Sequence, residues 1–227
     1  MRILATLLLL ATALAPVSAQ TPTGPPGTIL DAMRREFPLD HAALDRELAG
    51  KTPEEARRLA YAGIERFLRA HHYEIAGAPA PMVVALEARQ GAMLRALEKQ
   101  DVRLCAAIGD RGVFSPEALA GPAPPGLDEF GVGLIEAAKA GAGVSPTPPN
   151  PQAREDFAAW LAMVGKIEPD IPVRAMLGDR ALRSAAPPVQ LCRGAAAMHE
   201  AAVALPGSQA ERMSRILLGL SIGPPAD

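Results

Sequence analysis

Three groups of side chains in this 227-residue sequence have types and spacings that chemistry uses. The first is His71-His72-Tyr73-Glu74. An imidazole and a carboxylate three residues apart share one helical face and offer two donors to a divalent metal. A zinc or di-iron centre needs further His, Cys or carboxylates from other helices, and no H-E-x-x-H, E-x-x-H or C-x-x-C-H string supplies them. His71, His72 and Glu74 are the only metal candidates. The plainer reading puts the histidines at a helix C-terminus, where imidazoles reach the last carbonyls and complement the dipole. No metal or other cofactor is expected, and His41 and His199 read as isolated.

The second group, Gly219-Leu220-Ser221-Ile222-Gly223, spells the G-x-S-x-G nucleophile elbow. That elbow needs a strand before the serine, a helix after it, and an acid and a histidine later in the chain. Here no histidine follows, and the preceding segment has helical periodicity, so the match reads as a helix end. The third group is the acidic pairs Glu54-Glu55, Asp128-Glu129 and Glu155-Asp156. Two carboxylates flanking a glycosidic bond hydrolyse glycans, but each pair falls in the first turn of an expected helix, where negative charge complements the dipole. Eight Phe, Tyr and Trp residues furnish few platforms for sugar rings. No catalytic residue is assigned.

Cys105 and Cys192 are the only cysteines, which leaves one intramolecular pairing. A disulfide is expected between them in an oxidising compartment, and it joins the two sides of the Pro-rich stretch 141–151 into one domain. Both lie in a V-x-L-C string (Val102 to Cys105, Val189 to Cys192), a resemblance short enough to arise by chance in an Ala- and Leu-rich chain.

The elements that must position these residues read as helices throughout. The sharpest start is Thr52-Pro53-Glu54-Glu55, with a capping threonine, proline in the first turn and glutamate three residues after the cap. Ala60, Ile64, Phe67, Leu68, His71 and Ile75 then trace an apolar stripe at 3- and 4-residue steps, up to a stop at Gly77. A second long helix opens at Pro81 and runs to about Gln100, with Val83, Leu86, Met93, Leu94 and Leu97 inward and Gly91 as a weak point. The short linker predicts that these two helices are antiparallel neighbours. Further helices are expected over 28–37, 39–48, 101–108, 127–140, 151–165, 171–182, 187–204 and 208–220. The expected inward faces include Phe157, Trp160, Leu161 and Val164, and later Met213, Ile216, Leu217 and Leu220. The methionines are scattered, as core fillers are. No run alternates as a strand would.

Composition agrees with this fold class. Residues are 49% apolar but only 4% aromatic, a profile of close helix packing through small side chains. The expectation is an all-α, irregular bundle of about seven to nine helices in a single domain over 28–220, stapled by one long-range disulfide, with a surface loop at 141–151 and a tail over 221–227.

Residues 1–19 have the pattern of a cleaved signal peptide: Arg2, an uncharged Leu/Ala run, then Val17-Ser18-Ala19 with small residues at the cleavage positions. A Pro/Gly leader over 20–27 follows. The address is periplasmic or secreted, and an Arg-over-Lys excess with abundant Ala, Gly and Pro reads as the coding bias of a GC-rich bacterium. No later apolar run is long enough for a membrane span. A formal net charge of −2 invites neither nucleic acid nor an anionic membrane. The functional expectation is a non-enzymatic binding protein of the cell envelope. Its partner is an envelope protein or a small apolar ligand held between helices. The alternative is an envelope hydrolase, acting on glycans or through a metal.

Overall fold

Thr28 opens the folded chain because its side chain and that of Asp31 satisfy each other's backbone amides, a capping box in which Thr28 Oγ1 accepts from Asp31 N at 3.2 Å. The computed structural model describes residues 28–113, 118, 123–143 and 152–222. The expected signal peptide and leader lie outside these residues, as do most of the Pro-rich stretch and the last five residues. Among the described residues 83% are helical, none is in a strand, and twelve helices form one compact domain.

The first half runs α1 (Ile29–Glu36), α2 (Pro38–Leu48), α3 (Pro53–Ala70), α4 (His72–Gly77), α5 (Ala80–Gln100) and α6 (Val102–Arg111). The second runs α7 (Leu127–Ala140), α8 (Ala153–Ile167), α9 (Val173–Gly178), α10 (Arg180–Ala185), α11 (Pro188–Ala204) and α12 (Ser208–Ile222). Twelve exceeds the seven to nine expected because α4, α9 and α10 have six residues each, less than two turns, which periodicity over longer windows cannot resolve.

Several local expectations hold. Thr52 and Glu55 form their capping box, with Glu55 N to Thr52 Oγ1 at 3.3 Å and Thr52 N to Glu55 Oε2 at 3.2 Å. Ile64, Phe67, Leu68 and Ile75 are buried, as are Val83, Leu86, Met93, Leu94 and Leu97. Others need correction. The stripe ending at Gly77 is broken at His71, whose non-helical backbone separates α3 from α4. That break redirects the chain, so α3 and α5 are not principal neighbours: α3 packs on α2, whereas α5 packs chiefly on α11, α12 and α7. Phe157 and Leu220 face outward, Leu220 at 75% exposure. The expected helix over 171–182 is two short helices parted at Asp179. The C-terminal helix runs on through Ser221 and Ile222, residues expected in the tail.

α11 is the hub, in contact with α5, α6, α8 and α12. Its buried face carries Gly194, Ala195, Ala196, Ala197, Ala201 and Ala202, so four neighbours can approach its backbone closely. Cys192 on this helix is bonded to Cys105 on α6, with Cα atoms 5.1 Å apart and both side chains fully buried. The apolar interior falls into two clusters. One gathers Phe67, Leu68, Leu94, Phe130, Leu134 and Leu218. The other gathers Trp160, Val164, Val173, Met176, Met213 and Leu217. Trp160 can be buried whole because its indole N–H donates to the Met198 carbonyl at 2.8 Å.

Candidate functional site

Alanines at 56 and 60 leave a hollow where larger side chains on α3 would have met α1 and α7. The result is a groove of about 360 Å³ whose apolar wall is Ile29, Leu48, Ala60, Tyr61, Ile64 and Leu127. Thr28, Arg57 and Asp128 supply its polar edge. Each wall has a local cause. The capping box fixes the start of α1 at the rim. The capping box of α3 sets the register that turns Ala56, Ala60 and Ile64 to one side. On α7, Leu127 is buried while the adjacent Asp128 reaches the rim and accepts from the Ile29 backbone amide at 3.4 Å. Partial burial, and then the negative charge of Asp128, push the Tyr61 phenol above its usual range. At neutral pH it is a neutral hydroxyl, able to donate to and accept from a ligand.

The residues singled out in the sequence go elsewhere. His71 packs its ring against Phe67 (centroids 4.4 Å apart) and Phe37 (5.0 Å), with Nδ1 3.8 Å from Glu74 Oε1. His72 Nδ1 lies 2.8 Å from the Arg69 carbonyl, the helix-end role expected of it. No third ligand joins them: among the described residues no group of three His, Cys, Asp or Glu can hold a metal ion. Gly219 and Ser221 lie inside α12, so the elbow string has no strand–turn–helix geometry. All three acidic pairs do sit in first turns, of α3, α7 and α8. Asp156 is also fully buried and receives Arg212 through two hydrogen bonds of 2.6 and 2.8 Å.

Two charged clusters had no signal in the sequence. His199 is not isolated: Nδ1 lies 2.6 Å from Glu87 Oε2, with both residues buried between α5 and α11. Burial pushes the Glu87 carboxyl above its usual range, opposed by His199. The pair has the composition of an acid–base dyad, yet neither residue lines the groove. Nearer the surface, Arg95 bonds Glu98, Glu168 and Glu200, and Arg193 bonds Glu168 as well. This network ties α5 and α11 to the end of α8.

Comparison with protein-family models, curated proteins and solved structures returned no match.

Proposed function

We propose that this is an exported, non-enzymatic binding protein of a bacterial cell envelope that seats a small, largely apolar ligand between α1, α3 and α7. The groove carries the reading. Its volume of about 360 Å³ falls within the ~300–1,000 Å³ typical of small-ligand sites. It also combines an apolar wall with a few polar groups at one edge, which is the usual division between affinity and orientation in such sites. A folded partner helix needs a long trough, and a groove of about 360 Å³ is too short for one, which favours a small molecule over a protein. The signal-like residues 1–19 and the Cys105–Cys192 bond support an oxidising compartment outside the cytoplasm. The hydrolase alternative draws on Glu87 and His199, which lie away from the groove and bury each other.

The test is uptake of N-phenylnaphthylamine, whose fluorescence rises in apolar surroundings, by purified mature protein. Binding is expected, and Ala60→Trp, which fills the hollow, should abolish it while circular dichroism stays unchanged. Undiminished binding by a folded Ala60→Trp protein would remove the groove as the seat. Export is checked by intact mass: material recovered from the periplasm should begin at Gln20, and a retained Met1 would contradict the address.

A further inference from the structure

At the polar edge of the groove most groups are already engaged. Thr28 uses its hydroxyl in the capping box, where Oγ1 accepts from Asp31 N at 3.2 Å and donates to Asp31 Oδ2 at 2.8 Å. Asp128 is held at the start of two helices. Its Oδ1 accepts from the Ile29 amide at 3.4 Å, and it lies in the first turn of α7, where negative charge is stabilised. Arg57 also has a partner within the protein. Tyr61 differs from all three. Its ring is half-buried in the groove wall, and its hydroxyl has no hydrogen-bond partner among the described residues.

Charge at the mouth restricts the ligand further. Asp128 and Arg57 act on the Tyr61 phenol in opposite senses, so charges of both signs lie within electrostatic reach of its hydroxyl. An ammonium head drawn by Asp128 is repelled by Arg57, and a carboxylate head drawn by Arg57 is repelled by Asp128. Either ion also gives up part of its hydration on entering, a loss that only a free counter-charge offsets. A hydroxyl or carbonyl loses far less, and Tyr61 Oη can donate to it or accept from it.

We infer that the groove selects an uncharged amphiphile, with an alkyl body against Leu48, Ala60, Ile64 and Leu127 and one hydroxyl or carbonyl hydrogen-bonded to Tyr61 Oη. This rests on the groove being a ligand seat, as proposed above, and adds the class of head group that it takes. The apolar wall supplies affinity for any chain that fits. Tyr61, between two charges that are already engaged, decides which head is accepted.

The experiment is displacement of N-phenylnaphthylamine from the purified mature protein at neutral pH by 1-decanol, decanoate and decylammonium. The three share a chain and differ in head group, and each is used below the concentration at which it aggregates. Decanol should displace the probe at roughly tenfold lower concentration than either ion. Tyr61→Phe should narrow that lead about fivefold, the equivalent of one hydrogen bond of ~1 kcal/mol, with circular dichroism unchanged. Equal or stronger displacement by decanoate or decylammonium would overturn the inference while leaving the groove as a seat. An undiminished lead in Tyr61→Phe would overturn the part given to the phenol. Absence of probe uptake by the wild type, or undiminished uptake by Ala60→Trp, would remove the seat and this inference with it. A dimer in sedimentation that Ala60→Trp dissociates would assign the groove to a second copy and overturn it equally.

Discussion

His199 Nδ1 sits 2.6 Å from Glu87 Oε2 in the interior, although 112 residues separate them in the chain. α5 and α11 bring them together, and the Glu87 side chain is fully buried. Glu87 Oε1 has no hydrogen-bond partner among the described residues, so the carboxylate depends on this one imidazole. Such a pair contributes little net stability over an apolar replacement, but loss of one member strands the other.

His199→Ala should therefore destabilise the bundle by about 3–5 kcal/mol, read as a lower urea midpoint with an unchanged slope. The double variant Glu87→Leu, His199→Leu should recover most of that loss, since it buries no charge. Equal costs for the single and double variants would show that the two side chains act independently.

Glu168 gives a pH-dependent prediction. Its burial raises the pKa, but hydrogen bonds from Arg193 and Arg95 outweigh burial and hold it below the ordinary 4.5. A depressed folded-state pKa means that the unfolded chain takes up the proton first. The stabilisation is thus complete above 4.5 and disappears as pH falls through the folded value. At pH 7, Glu168→Ala should cost about 1.5–3 kcal/mol, the usual worth of hydrogen bonds to charged groups. In urea titrations at stepped pH, the gap from wild type should close on the acid side of 4.5. A constant gap across that range would refute the linkage.

What was readable in advance was local. Thr52 and Glu55 announce a helix start because both partners of the capping box lie within four residues. The stripes around Ile64 and Leu94 follow from period alone. Cys105 and Cys192 had one possible pairing. The groove was invisible for a physical reason: it is made by small side chains at 56 and 60, framed by three helices whose mutual placement no periodicity specifies. Glu87 gave no signal because its partner comes from a distant helix. Gly131 and Gly133 on α7 have a packing role that spacing alone does not show. A Cβ on Gly131 would collide with Ile29, and one on Gly133 would approach Leu86 Cδ2 to 2.8 Å, so both glycines permit close helix contact. His71 shows the opposite failure, since a continuous stripe runs across the break between α3 and α4.

The disulfide spans a sequence separation of 87. On the chain-entropy account, closing a loop of that length lowers denatured-state entropy by the equivalent of about 4–5 kcal/mol, an upper figure. Cys105→Ala with Cys192→Ala should lower stability toward that amount and leave the helical signal intact, because α6 and α11 also pack on each other directly. Thiol labelling of denatured, unreduced wild-type protein should find no free cysteine, and full labelling would show that the bond does not form.

Two glycines in helical surroundings should respond oppositely to alanine. Gly91 on α5 faces α11, and a Cβ there would meet Glu200 Cγ at 3.4 Å and His199 Cβ at 3.5 Å, ordinary van der Waals distances. Gly91→Ala should therefore be neutral or stabilising by up to ~1 kcal/mol, the difference in helix propensity. Gly141, at the C-terminal cap of α7, has an ordinary negative φ of −90°, so its backbone conformation does not require glycine. Its surroundings do: a Cβ there would overlap the backbone carbonyl of Glu74, at the seam where α4 packs against α7. Backbone cannot rotate aside as a side chain can, so Gly141→Ala must separate the two helices and should cost about 1–3 kcal/mol, the range for overpacking. Thermal or urea unfolding of the two variants decides the matter. A destabilised Gly91→Ala beside an unperturbed Gly141→Ala would mean that α5 meets α11, and α4 meets α7, at separations other than those described.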